Sequence, residues 1–178
     1  MTLESLKYPI GHFVKPPLIT DEIVRGWILD IEIFPKRLKE AVVHLSDEQL
    51  DTVYRLGGWT IRQVVHHCAD SHMNSFIRFK LALTEETPTI KPYYEERWAE
   101  LIDAKEFPIS SSLQILEGVH NRWCALLRSI SAKEFARTFV HPQQEKIFRI
   151  DENIGLYAWH CNHHLAHILE LKKRNKWG

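Results

Sequence analysis

The chain has 178 residues, 44% hydrophobic and 26% charged, with 23 Lys+Arg balanced by 23 Asp+Glu. That is the make-up of one ordinary globular domain, able to bury roughly 70% of its unfolded surface without a disulfide or structural metal. A formal net charge of zero leaves no basic surplus to neutralise phosphates, which argues against nucleic acid as a partner, and no apolar run is long enough to span a membrane.

Residues 1–19, with Pro9, Gly11, Pro16 and Pro17, read as an extended arm before a single domain covering 1–178. The opening MTLESLKYPIGH lacks the basic-then-apolar layout of a signal peptide. Three cysteines, Cys68, Cys124 and Cys161, each sit in an apolar stretch, as suits a reducing compartment where Cys behaves as a small hydrophobe. A cytoplasmic location is expected.

Thr20-Asp21-Glu22 supplies a helix start, followed by apolar residues at Ile23, Trp27, Ile31, Phe34, Leu38 and Val42. Pro35 should bend or divide that helix, since its ring removes an amide and crowds the preceding turn. Ser46 and Gln49 have capping-box spacing, as do Thr60 and Gln63, the second opening a long helix to about residue 83. A third helical stretch is predicted over 94–105. Ser110, Ser111 and Ser112 offer caps for a helix to about residue 130, with Leu116, Trp123 and Leu127 inward. The alternation over 137–150, broken by Pro142, suggests a short hairpin or crossover. Asp151 should cap a last helix over about 152–173. Long amphipathic helices in one domain of this length point to an all-α helical bundle, a fold that builds metal sites on facing helices.

Histidine is the unusual component: eleven residues, four of them between His160 and His167. At about 100° per residue, His160, His163, His164 and His167 share one arc of the last helix. The i, i+4 pair His160 and His164 can close on one ion, and neutral imidazole suits Zn, Ni, Cu or Fe rather than Mg or Ca. Cys161 and Asn162 stand where a zincin protease would carry its glutamate, so that motif is absent. A third ligand must come from another helix, with His66, His67 and His72 available. Helical phase does not choose between His66 and His67, because both flank the apolar face. A lone helical histidine is usually a surface or core residue; four on one arc with a pair elsewhere make ligation the competitive reading.

At these residues the chain resembles the YfiT-like members of the DinB-like superfamily, helical-bundle metal proteins unrelated to the polymerase of the same name. The resemblance runs through YPIG at 8–11, GGWTIRQVVHHCADSHMNSFIRFKLALTEETP at 57–88, HNRWCALLR at 120–128 and GLYAWHCNHHLAHI at 155–168. It implies a four-helix bundle, a homodimer, and one divalent ion, zinc or nickel, on His67, His160 and His164. It also implies a small-molecule substrate. Three histidines leave a coordination position open, as catalytic sites do.

Two chemistries fit that opening: hydrolysis by activated water, or S-transfer from a low-molecular-weight thiol such as bacillithiol. A metal-binding protein without turnover is the third reading. Asp70, three residues after His67, is a candidate support for the site, although a solvated carboxylate is the commoner role for such a residue. His163 is a candidate proton carrier and Tyr157 a candidate pocket wall. Cys161 reads as a buried small residue, and Trp59, Trp123 and Trp159 as packing residues.

Overall fold

Thr20, Ser46 and Thr60 each turn a hydroxyl onto the amide three residues ahead, at 3.3, 3.3 and 3.1 Å, and each opens a helix. At Ser46 and Thr60 the Gln side chain returns the bond to the cap amide, completing both capping boxes. The computed structural model describes residues 2–177. Its helices are α1 (Leu3–Lys7), α2 (Asp21–Val42), α3 (Asp47–Leu50), α4 (Ile61–Thr84), α5 (Glu95–Trp98), α6 (Ile102–Lys105), α7 (Ser110–Ser129) and α8 (Ile150–Asn175). Strands β1 (Thr138–His141) and β2 (Lys146–Arg149) form the expected hairpin, antiparallel with Thr138 opposite Arg149. None of these helices is long and apolar enough to cross a membrane.

The four long helices make the bundle, in an order that chain sequence does not suggest. Helix α2 packs on α7 and α8, and α4 packs on the same two. Consecutive long helices α2 and α4 therefore lie on one diagonal, and α7 and α8 on the other. Short loops favour antiparallel neighbours; here residues 43–60 and 130–149 are long enough to carry the chain across. The core fills with Ile31, Phe34 and Leu38 of α2, Val64 and Phe79 of α4, Leu116 and Trp123 of α7, and Ile154 and Ile168 of α8. What this topology does for function is set α4 directly against α8.

Several local expectations need correcting. Helix α2 passes through Pro35 as one unbroken element. The arm is not wholly extended, because Thr2 caps the five-residue α1. The stretch 94–105 is two single turns, α5 and α6, broken at Leu101, whose backbone is extended. Its Tyr94, Leu101 and Ile102 are exposed, so no buried apolar stripe holds a continuous helix together. None of the three serines caps α7, which starts after Ile109. Asp151 lies inside the first turn of α8 rather than before it, and the helix runs on to Asn175.

The α2–α8 contact is close enough to require glycine. A Cβ on Gly155 would meet the Trp27 indole at 2.8–2.9 Å. Gly155→Ala is expected to destabilise the fold by about 1–3 kcal/mol, read as a Tm lowered by several degrees, and Trp27→Leu in the same chain should recover most of the loss.

Candidate metal centre

Helix α4 carries His67 in mid-element, and α8 carries His160 and His164 one turn apart. Because the two helices face each other, the three rings converge, each offering one nitrogen within 4.8 Å of the others. The Nε2 atoms of His67 and His160 are 3.3 Å apart. Two ligands at 2.0–2.1 Å from one tetrahedral zinc stand about 3.3 Å apart, so the spacing fits a shared ion. His67 and His164 are buried and His160 half-buried. Burial, and then neighbouring imidazoles, hold His160 and His164 well below the ordinary histidine range; burial, and then His167, bring His67 down to about 4. All three are neutral at pH 7, the form that donates a lone pair to a cation.

A second trio, His163, His164 and His167, also lies within 4.8 Å. It shares His164 with the first and comes from one helix alone. His167 is committed elsewhere, its Nε2 donating to the Lys7 carbonyl at 2.9 Å. His163 stacks on Trp159 with ring centroids 4.4 Å apart. Both trios open on one hollow of about 760 Å³, also walled by Trp59 and rimmed by Glu95, Glu96 and Glu100. A second hollow, of about 580 Å³, reaches His160 from the other side, past Tyr157 and Arg78. Both volumes suit a small ligand.

Behind His160 runs a line of buried imidazoles. His160 Nδ1 is 3.0 Å from His72 Nε2, and His72 Nδ1 is 2.7 Å from His120 Nε2. His120 Nδ1 then donates to the Ile31 carbonyl at 2.6 Å. The line crosses from α8 to α4 to α7 to α2, joining all four bundle helices.

His66 is excluded from the trio by its own bonds: Ser112 Oγ at 2.8 Å and the Phe107 carbonyl at 3.1 Å occupy both nitrogens. His72 is likewise not a ligand, since both its nitrogens serve the line just described. Asp70 makes no hydrogen bond to the trio; burial and then Asp103 push its carboxyl up to about 6. The support expected of Asp70 comes from His72 instead. Tyr157 is buried, with its hydroxyl 3.2 Å from Ser71 Oγ and its ring beside His160. Cys161 is fully buried, and burial raises its thiol far above the usual range, as a packing residue requires. Trp123 is core, whereas Trp59 lies 4.7 Å from the His67 ring and Trp159 donates to the Gly11 carbonyl, tying the arm to α8. Sequence reading missed His120 altogether. The available signal was Pro35, which leaves the carbonyl four residues earlier without its helical donor.

Comparison with known proteins places the chain among close relatives. A family model described as the DinB superfamily matches residues 31–168. The chain is 56% identical over 171 residues to a protein of Oceanobacillus iheyensis, covering 96% of this chain and 98% of the relative. It is 52% identical to YfiT of Bacillus subtilis over the full length of both. Both relatives bear names that propose a metal-dependent hydrolase. The solved structure of Bacillus subtilis YfiT aligns with a TM-score of 0.96 at 52% identity, covering 98% of this chain and 99% of that one. It is described as "a probable metal-dependent hydrolase with an unusual four-helix bundle topology", the same fold derived above.

Neutral buried imidazoles make the metal-free protein acid-sensitive. His120 ordinarily titrates at 6.5 and is brought down to about 4, chiefly by burial. Between those values the unfolded chain binds a proton that the folded one refuses, so this stabilisation is complete above pH 6.5 and is lost as pH falls toward about 4. Urea midpoints of the metal-free protein should hold above neutrality and drop steeply across that window; a flat profile would contradict the burial argument.

Proposed function

This chain belongs to the DinB superfamily, and we propose that it is a metal-dependent enzyme, a hydrolase acting on a small molecule, with one divalent ion on His67, His160 and His164. The observation that carries the reading is the convergence of three neutral imidazoles, two buried and one half-buried, from α4 and α8 at the junction of two hollows. Imidazole donors favour zinc or nickel over magnesium or calcium. When bound, such an ion supplies Lewis acidity, polarising an electrophile and lowering the pKa of a water or thiol beside it.

The remaining chemistry belongs to the chain. Among the described residues no carboxylate or hydroxyl hydrogen-bonds to any of the three imidazoles, so no side-chain general base is built into the trio. His163 stays neutral beside the trio, its ring 5.0 Å from that of His164 and its pKa brought down to about 3 by burial and then by His167. Its Nδ1 is buried without a partner in the protein. The second hollow is lined with donors in the same condition: among the described residues, Arg78 Nε and Asn153 Nδ2 are buried and have no protein acceptor. Burial also keeps the Tyr93 phenol protonated by pushing its pKa up. Buried donors without acceptors are costly, and an oxygen-rich group on the substrate, carboxylate or phosphoryl, would satisfy them beside His160. Trp59, against His67, and Trp159, stacked on His163, supply apolar wall to the larger hollow on the other side.

His160→Ala is expected to lose most bound metal by elemental analysis while the far-ultraviolet dichroism stays helical; stoichiometric metal in that variant would remove His160 from the ligand set. Turnover should be sought with the zinc- or nickel-loaded protein on esters, amides and phosphoesters, with and without a low-molecular-weight thiol. Hydrolysis without thiol is the expected result. Consumption of the thiol in proportion to product would reassign the chemistry to S-transfer at the same ion, and stoichiometric metal without turnover would leave a binding protein.

A further inference from the structure

We propose that His72 and His120 are positioning residues that fix His160 in the tautomer able to bind an ion, and that Pro35 anchors them by freeing a backbone carbonyl. The proposal rests on the reading that His160 is a ligand, and deepens it.

The direction of the line is set at its far end. A carbonyl oxygen only accepts, so at 2.6 Å from the Ile31 carbonyl His120 must carry its proton on Nδ1. A neutral ring protonated there has a lone pair on Nε2, and His72 Nδ1 at 2.7 Å must donate to it. By the same step His72 Nε2 accepts from His160 Nδ1 at 3.0 Å. His160 is left with a bare Nε2, the atom 3.3 Å from His67 Nε2 inside the trio. The opposite order would aim a lone pair of His120 at the carbonyl and an N–H of His160 at the cation.

The anchor exists because of proline. In an uninterrupted helix the Ile31 carbonyl accepts from the amide of residue 35, and Pro35 has none. Helix α2 runs on unbroken, and the carbonyl released inside the bundle receives His120 instead. The neighbouring ligands have no such backing. His164 Nδ1 is buried without a partner, and His67 makes no hydrogen bond through Nδ1. Among the described residues, His160 alone of the three is held from behind, and partners that orient a ligand in this way typically contribute about 10–100-fold in metal affinity.

Long-range ¹H–¹⁵N correlation on the metal-free protein reads the tautomers directly: His72, His120 and His160 should each be protonated on Nδ1, and an Nε2 proton on His160 would overturn the proposal. Zinc affinity, measured by competition with a chromophoric chelator, should weaken by about 10–100-fold in His120→Leu, with His160 moving to a mixture of tautomers. His120→Gln, which can still donate and accept, should recover part of the loss. Should His120→Leu fail to fold, Pro35→Ala decides, since it keeps every buried ring and only restores an amide that competes for the Ile31 carbonyl. It should weaken zinc in the same direction by less.

A purely structural role predicts lower Tm values with zinc affinity and the His160 tautomer unchanged, and that result would sink the proposal. Wild-type protein that binds no zinc would defeat the ligand reading instead, while the tautomer order would still be decided by the spectra.

Discussion

An imidazole withdrawn from water brings two nitrogens that need partners, and this bundle withdraws many: His66, His67, His72, His120, His163, His164 and His167 are all buried in or beside its helices. Following each nitrogen sorts six of them into two groups, the seventh being His67, which meets His160 through Nε2. Those with both nitrogens bonded, His66, His72 and His120, tie elements together: α4 to α7 and its approach, and then α4, α7 and α2 in a line. Those left with a bare Nδ1, His163, His164 and His167, all face the larger hollow. A native core seldom tolerates such atoms without a purpose. Three of the four buried imidazoles with an unpartnered Nδ1 among the described residues thus lie where the ligand geometry does, the fourth, His141, lining the smaller hollow.

The arrangement depends on the diagonal placement of consecutive helices. An up-and-down bundle would set α2 beside α4 and α7 beside α8. Here α4 faces α8 instead, and residues 93 apart in sequence, His67 and His160, come within 3.3 Å. The connections do more than span distance. The segment after α4 places Glu95 and Glu96 between the two hollows, and the hairpin supplies Phe139, His141 and Phe148 as one wall of the smaller. The arm lies along α8, held by His167 to the Lys7 carbonyl and Trp159 to the Gly11 carbonyl.

Much of this was legible in the residues themselves. Local chemistry identified the capping boxes at Ser46 and Thr60 and the i, i+4 histidine pair, and offered a hairpin before α8 as one of two alternatives, because each depends on neighbours a few positions away. Choosing His67 over His66 was beyond helical phase, and only the family resemblance made the choice. Both residues are buried, and the difference is that Ser112 and Phe107, more than forty positions away, take both nitrogens of His66. The same limit explains Asp70 and His120. Sequence spacing suggested a carboxylate beside His67 on α4 as support, whereas the fold backs His160 with an imidazole line that starts on α4 and runs through α7 to α2. Pro35 was read as a helix breaker because the pattern shows the lost bond and cannot show what replaces it.

The diagonal topology also bears on how the protein comes to be folded. Every contact between neighbouring long helices except α4 with α7 joins segments far apart along the chain, and such closures cost entropy before packing rewards them, which slows folding. Two of the three converging imidazoles ride on α8, the last of the long helices to leave the ribosome. Until that helix docks, α4 presents His67 with no companion, so a partly made chain has no cradle in which a scavenged cation could settle.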